Sequence, residues 1–189
     1  MYHISGQIQG VAPLLLNRWA DTHSLDSPGT GGRLTMAQRL QEAEDKLYRN
    51  GEGRVCARAL WLKRCLITGA SRAGLKRGRA SAVPTFTAAI FVEGDLIPFA
   101  DPDGKPYKEA DFIDERVGRR PPRTGGAMLI RRPGLHIGWQ LPFRIIVTDD
   151  RIDDGQLRTA LEEAGLLVGF CEYRPEFGRF IVTTWQREG

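Results

Sequence analysis

Residues 153–186 read DDGQLRTALEEAGLLVGFCEYRPEFGRFIVTTWQ and contain the clearest helix-to-strand succession in the chain. Asp153 or Asp154 is suited to cap a helix here, and Gly169 is suited to end it. Apolar residues recur every three or four positions between them, which is the spacing of a buried helical stripe; they are Leu157, Leu161, Ala164 and Leu167 or Val168. The stretch therefore predicts a helix up to Gly169 and, after an arginine-containing turn, a strand over Phe180–Gln186.

Apolar and polar residues alternate in other segments, and this alternation is typical of half-buried strands. Tyr2–Val11 is predicted to be the first strand. Ala127–Ile130 and Leu135–Thr148 are predicted to form a strand pair. Phe86–Val92 is predicted to be a buried strand, with Leu96–Phe99 pairing back onto it as a hairpin.

Two further helices are predicted upstream of these strands. Thr35–Arg49 has polar residues crowded on one side and is followed by Asn50-Gly51, which ends a helix readily. Leu60–Ala73 follows a possible short strand at Arg54–Ala59. Its predicted buried stripe consists of Leu60, Trp61, Cys65 and Thr68, and its other side presents Lys63, Arg64 and finally Arg72.

The order of these elements predicts an α+β protein. A strand, an insertion, a helix, two strands, a helix and a last strand give the βαββαβ order of the ferredoxin-like (RRM-like) fold. A length of 189 residues is that of one ordinary domain. We therefore expect a single ferredoxin-like domain over 1–189, with insertions at about 12–53 and 100–126.

Composition narrows the classes of protein to consider. The chain is 41% hydrophobic and 26% charged, as soluble globular proteins are. It has neither an apolar run of about 20 residues nor a signal-peptide pattern at its N-terminus, and its three cysteines lack CxxC spacing. No metal-binding, phosphate-loop or nucleophile motif is found. We expect a cytoplasmic protein with no membrane partner, no cofactor and no metal.

Positive charge is strongly segregated along the sequence, although the net charge is only +4. Arg54–Val92 contains no Asp or Glu and holds Arg54, Arg58, Lys63, Arg64, Arg72, Lys76, Arg77 and Arg79. Arg116–Arg132 is also free of acidic residues and holds Arg116, Arg119, Arg120, Arg123, Arg131 and Arg132. These two basic runs carry 14 of the 27 Lys and Arg residues. Segregated positive charge is typical of proteins that bind a polyphosphate backbone.

The C-terminal part resembles the closing segment of the RAMP superfamily, the ferredoxin-like RNA-binding proteins of CRISPR effector complexes. The resemblance rests on the helix end Leu166-Leu167-Val168-Gly169 and on the turn Arg174-Pro175-Glu176-Phe177-Gly178-Arg179-Phe180 before the last strand. The first strand with Pro13-Leu14-Leu15, and the basic helix Leu60–Ala73, are similar to the opening of that superfamily. About a third of the chain is covered. Small phage and prophage proteins with an Arg-Pro-x-x-Gly-Arg-Phe pattern are a second resemblance.

The charge pattern and the resemblance together predict a non-catalytic protein that binds single-stranded nucleic acid, RNA or DNA, with RNA favoured. Such a protein could be a subunit of a CRISPR-like or phage-encoded nucleoprotein complex. In a ferredoxin-like sheet, the turn before the last strand lies beside the first core helix. The predicted nucleic-acid-binding residues are Lys63, Arg64, Arg72, Lys76, Arg77, Arg79, Arg116, Arg119, Arg120, Arg123, Arg174, Phe177 and Arg179.

Two other functions remain open at this point. The resemblance allows a metal-independent RNA endonuclease, for which His23 is the candidate general base and His3 a weaker one. A phage structural or assembly protein is also possible. Its acidic stretches Glu42-Ala43-Glu44-Asp45 and Asp149–Asp154 could meet the basic face of another copy and form a homo-oligomer or a larger complex.

Overall fold

The computed structural model describes residues 1–18, 35–119 and 127–189. These residues form a mixed α+β protein with several antiparallel sheets. In chain order the elements are β1 (Tyr2–Gly10), β2 (Leu14–Leu15), α1 (Met36–Glu44), β3 (Tyr48–Arg49), β4 (Val55–Arg58), α2 (Ala59–Arg72), β5 (Lys76–Arg77), β6 (Ala80–Ser81), α3 (Val83–Ala89), β7 (Ile90–Val92), β8 (Leu96–Pro98), β9 (Phe112–Arg119), β10 (Ala127–Leu135), β11 (Gln140–Val147), α4 (Asp154–Glu163) and β12 (Phe180–Glu188). A π-helical turn, Ala164–Val168, continues α4.

The largest sheet has the strand order β12-β1-β11-β7, and each neighbouring pair is antiparallel. The alternation predicted for the first strand is confirmed, because Tyr2, Ile4 and Ile8 are buried. Phe180 begins the predicted last strand and is buried as well. These side chains share one hydrophobic core with apolar residues of α2 and α4.

The two core helices approach each other closely at Gly69. A Cβ atom at this position would lie 2.0 Å from the backbone oxygen of Ala160 in α4, so a side chain has no room there. The predicted buried stripe of this helix was wrong except at Cys65, which is buried. Leu60 and Thr68 are exposed. The face of α2 that packs on the core includes several small residues and consists of Ala59, Leu62, Cys65, Leu66, Gly69 and Ala70.

The predicted strand Phe86–Val92 is wrong over most of its length. Val83–Ala89 forms α3, which has Pro84 in its first turn, and only Ile90–Val92 is a strand. Proline at this position pre-sets a helical φ at no hydrogen-bonding cost. Phe86 and Ala89 lie three residues apart and are both buried. Packing of this one helical face outweighs the strand preference of the β-branched and aromatic residues.

Two predicted strand pairings are wrong, because the strands pair with other segments of the chain. Leu96–Pro98 pairs with β4 rather than with β7. Ala127–Leu135 pairs with β9 and β2, whereas β11 lies in the largest sheet between β1 and β7. The strand β9 itself lies within the insertion predicted at about 100–126.

The first helix is shorter than predicted. Thr35 caps it through a reciprocal capping box with Gln38, and the helix ends at Glu44 instead of reaching Arg49. Leu40 is 47% exposed, whereas Ala43 is buried. Tyr48–Arg49 is already a strand paired with β4.

Buried ion pairs attach α1 to the sheet β2-β10-β9. Arg131 of β10 donates from Nη1 to Glu42 at 2.8 Å and from Nε to Glu115 of β9 at 2.7 Å. Lys46, also buried, donates to Glu42 at 3.1 Å and to the backbone oxygen of Arg131 at 2.5 Å. Burial alone would raise the pKa of Glu42, but the hydrogen bonds and charges of Arg131 and Lys46 outweigh it and lower that pKa.

We expect Glu42→Gln to destabilise the protein at neutral pH and progressively less in acid. The pKa of Glu42 is lower in the folded than in the unfolded chain, so its charge contributes stability that is present above the unfolded pKa. This contribution is lost as the pH falls from about 4.3, the ordinary value for Glu, through the folded pKa. The measurement is the free energy of unfolding in urea between pH 7 and pH 3. The exposed carboxylate of Glu109 provides the control, Glu109→Gln. A stability difference that does not change with pH would contradict this account.

Candidate nucleic-acid interface

Two neighbouring concavities lie along the outer side of α2 and share two arginines. The first, which we call the inner pocket, has a volume of about 280 Å³ and is lined by Asn17, Trp61, Arg64, Phe170, Cys171, Glu172 and Arg174. The second, the helix groove, has a volume of about 520 Å³ and is lined by Leu60, Lys63, Arg64, Ile67, Thr68, Thr87 and Arg174. Arg64 and Arg174 line both, so the two concavities adjoin.

The cations of this region are not neutralised within the described part of the chain. Arg64 and Arg174 are exposed and form no ion pair with the described carboxylates. Lys63 is half-buried, with its Nζ atom 4.7 Å from the centre of the Phe91 ring, and it likewise has no described carboxylate partner. The helix groove therefore combines apolar walls with uncompensated positive charge.

The rest of the first basic run continues from this groove along α2. Arg72 is exposed and lies eight residues after Arg64, about 12 Å further along the helix axis and about 80° around it. Lys76 and Arg79 are exposed on the hairpin β5-β6, which is tied to α4 by a hydrogen bond from Gln156 to the Lys76 backbone oxygen at 3.4 Å. Arg77 differs, because its Nη1 atom lies 3.2 Å from Asp149.

The described arginines of the second basic run have partners inside the protein. Arg131 belongs to the buried ion pairs of α1. Arg132 is buried, donates to the Tyr173 hydroxyl at 3.3 Å and lies 4.5 Å from the centre of that ring. Arg116 is held by Asp114 through two hydrogen bonds of 2.7 and 3.1 Å. These three side chains hold parts of the protein together and leave little charge for a ligand.

Gly169–Arg179, which we call the glycine segment, contacts both basic runs. Arg174 faces Arg64 across the two concavities. The guanidinium of Arg116 lies 4.7 Å from the ring centre of Tyr173 and 4.8 Å from that of Phe177. Phe177, one of the predicted nucleic-acid-binding residues, is thus half-buried and has an arginine over its ring. The same segment receives cations from runs that are far apart in the sequence.

The glycine segment is fixed by backbone contacts that only glycine permits. Gly178 has φ +74°, donates to the Pro13 backbone oxygen at 2.8 Å and accepts from the Phe170 N–H at 2.8 Å. A Cβ atom on Gly178 would lie 1.9 Å from the Phe170 oxygen. Phe170 is buried in an aromatic cluster with Phe99, Trp139 and Phe180.

The remaining predicted site residues lie elsewhere or outside the described residues. Arg179 lines a separate, more apolar concavity with Val11, Leu166, Ile181 and Val182. Arg119 is described only as backbone, and Arg120, Arg123 and His23 lie outside the described residues. His3 is on β1, opposite Glu188 of β12, and does not line either concavity of α2.

Sequence reasoning missed Trp61, Asn17 and Glu172 as lining residues. Trp61 was assigned to the buried stripe of α2, but the stripe is rotated and the indole is only half-buried. Glu172 was not among the predicted site residues, and its ion-pair partner is Arg132 at 3.6 Å. Nothing in the sequence distinguishes Asn17, since chain folding alone brings it to the glycine segment.

The cysteines and the acidic residues offer little reactive chemistry. Burial raises the pKa of the Cys65 thiol to about 12 and raises that of Cys171 well above its ordinary value. Both thiols are therefore protonated at neutral pH and poor nucleophiles. Among the described residues, no group of three or more His, Cys, Asp and Glu side chains could hold a metal ion.

The chain matches no protein-family model and no curated protein. Within residues 1–18, 35–119 and 127–189, no helix is both long enough and apolar enough to cross a lipid bilayer.

Replacing Gly178 with Ala should destabilise the protein much more than replacing Gly74 with Ala. Both glycines have φ between +60° and +75°, so both variants carry the same left-handed strain, about 1–2 kcal/mol. Only Gly178 has backbone atoms within van der Waals reach of the added Cβ, because the space around Gly74 is open to 4 Å. The measurement is the free energy of unfolding in urea for the two variants. If both variants lose the same stability, the close contact between Gly178 and Phe170 does not hold the glycine segment.

Proposed function

We propose that this protein binds single-stranded nucleic acid, RNA in preference to DNA, along the helix groove without cleaving it. The observation that carries the proposal is the pair of adjoining concavities that share Arg64 and Arg174, two cations without a described carboxylate partner. Unpaired guanidinium groups on a concave surface bind phosphate oxygens strongly, often through two hydrogen bonds each. Lys63, Arg72, Lys76 and Arg79 extend the positive surface from this point.

The opposite face of the largest sheet is less suited to a nucleic acid. Proteins of the RNA-recognition type stack bases on aromatic residues at the centre of that face. Here the centre holds polar side chains that bond to each other: Ser5 Oγ lies 2.5 Å from Glu188, Arg144 lies 3.2 Å from Glu188, and Gln7 bonds to Gln140 at 3.1 Å. A nucleic-acid strand therefore fits better on the side of the sheet that carries the helices.

We further propose that the scaffold is ferredoxin-like and related to the RAMP superfamily or to a phage form of it. The order β12-β1-β11-β7 supports this, as does the chain order with α2 between β1 and β7 and α4 between β11 and β12. Such proteins serve as subunits of nucleoprotein complexes, and we propose the same setting here.

The affinity for a single-stranded RNA should fall steeply with salt, and the Arg64→Ala/Arg174→Ala variant should bind more weakly with a shallower slope. Removing one phosphate contact is expected to reduce the slope of log affinity against log salt by about 0.7, and removing two by about 1.4. Fluorescence anisotropy with a labelled oligonucleotide, over a range of potassium chloride concentrations, measures both quantities. DNA of the same sequence tests the preference for RNA.

The matched control is Arg144→Ala/Arg158→Ala, which removes two exposed arginines that are ion-paired to Glu188 and Glu162. This variant loses the same net charge as Arg64→Ala/Arg174→Ala but leaves the concavities intact. Its slope of log affinity against log salt should therefore stay close to that of the unmodified protein. A slope near zero in the unmodified protein would exclude the proposal. RNA cleaved during incubation in EDTA, with cleavage lost in His23→Ala, would favour the nuclease instead.

A second candidate function is assembly of the chain with copies of itself, and the apolar surface along β12 favours it. This strand pairs only with β1 among the described residues, so its other edge is open. Leu166, Leu167 and Ile181 beside it are 64%, 52% and 51% exposed. An open edge flanked by apolar side chains is a site for strand addition. The acidic stretches of the sequence are less suited to this role, because they have internal cationic partners at Glu42, Glu44, Asp149 and Asp154.

If assembly occurs through this edge, Ile181→Lys should return the protein to a monomer. Light scattering after size exclusion, over a tenfold range of protein concentration, gives the mass. The control is Ile137→Lys, since Ile137 is 59% exposed but lies between β10 and β11, away from the β12 edge. An unmodified protein that is monomeric at every concentration would remove this candidate.

A further inference from the structure

We propose that the inner pocket holds one guanine base of the bound strand, with Glu172 accepting hydrogen bonds from its Watson–Crick edge and Trp61 lying against its ring. The inference rests on the proposed binding of single-stranded nucleic acid and assigns a base preference to that same site. A volume of about 280 Å³ gives room for a purine ring. Arg64 and Arg174, at the border with the helix groove, place the phosphates next to the pocket mouth.

Glu172 is the one carboxylate among the described lining residues of the inner pocket, and its acceptor capacity is not used up. It forms an ion pair with the buried Arg132, whose Nε atom lies 3.6 Å away, too far for a hydrogen bond. That Nε atom is buried and has no hydrogen-bond partner among the described residues. The backbone N–H of Glu172 donates to the Leu15 oxygen at 3.1 Å, which fixes the position of the residue. A carboxylate that is ion-paired with an arginine but accepts no hydrogen bond from it keeps its oxygens available to a ligand.

Trp61 supplies a fixed aromatic surface in the same pocket. Its ring meets that of Tyr48 edge-to-face, with centroids 5.3 Å apart and planes at 81°. Arg18 and Arg58 lie 5.5 and 5.9 Å from the other ring, that of Tyr48, and help to hold it. The indole is half-buried, so part of its surface remains open to the pocket. Bases unstacked from a single strand bind to aromatic side chains placed in this way.

The chemistry of a carboxylate selects guanine among the four bases. Its two oxygens match the adjacent N1–H and N2–H donors of guanine, an arrangement that adenine, cytosine and uracil do not offer. The amino groups of adenine and cytosine adjoin a ring nitrogen acceptor, which repels the second oxygen. The single N3–H of uracil lies between two carbonyl oxygens. Asn17 lines the pocket too and can donate from its amide to guanine O6.

The test compares labelled oligouridylates that carry one central guanine, inosine or adenine, by fluorescence anisotropy at fixed salt. Inosine lacks only the N2 amino group, so it isolates one of the two hydrogen bonds. We expect the guanine strand to bind about tenfold tighter than the inosine strand, which is the effect of one hydrogen bond to a charged acceptor. In Glu172→Gln, the ratio of the two affinities should fall to about one. The ratio of the guanine and inosine affinities is compared, and not either affinity alone. Glu172→Gln removes a negative charge near the phosphates and therefore changes both affinities by a similar factor.

Glu163→Gln on α4 is the matched control and should keep the tenfold ratio. If the unmodified protein binds all these strands equally, or if Glu172→Gln keeps the ratio, the guanine pocket is overturned while the proposed function stands. If no strand binds at any salt concentration, the proposed function fails and the pocket assignment with it. Free guanosine monophosphate in tenfold excess should not displace the guanine strand, because most contacts are with phosphates in the helix groove. Displacement would make the pocket a site for free nucleotides and overturn the assignment to a strand.

Discussion

The close backbone contact between Gly178 and Phe170 is the constraint on which the candidate site depends. It returns the chain after α4 to the core, where Phe170 packs among Phe99, Trp139 and Phe180. The residues between these two anchors then project outward, and Arg174 is one of them. The thiol of Cys65 lies 3.4 Å from the Gly169 backbone oxygen, so the same segment is also joined to α2 next to Arg64. Two cations from distant parts of the sequence meet because of this packing.

The two basic runs have different physical roles, although the sequence presents them alike. On β9 and β10, arginines are buried or partly buried and must be paired, since an unpaired buried charge is costly. Glu42, Glu115 and Asp114 supply the pairing. On α2 and the following hairpin, most cations are exposed and remain solvated, which leaves them available for phosphates. Burial, and not charge density along the chain, separates structural from candidate binding arginines.

The parts of the fold that local pattern determines could be predicted, and those that depend on distant partners could not. The strand β1 and the helix α4 were found because alternation and three-to-four-residue spacing are properties of the segment itself. The pairing of β10 with β2, and of β8 with β4, depends on contacts that no local pattern encodes. The same holds for the site. Lys63, Arg64 and Arg174 could be proposed from charge and the resemblance, whereas the pairing of Arg131 with Glu42 joins residues far apart in the chain.

A site assembled from distant segments couples ligand binding to the stability of the whole core. Arg64 and Arg174 adjoin only when α2, the glycine segment and the aromatic cluster are packed together, so the unfolded chain lacks the paired cations. A ligand that binds only the folded state stabilises it according to its concentration relative to its dissociation constant. The uncompensated cations on α2 repel one another and act against folding when no ligand is present. A polyphosphate in the helix groove would neutralise this repulsion and hold the glycine segment against α2, so recognition and stability draw on the same contacts.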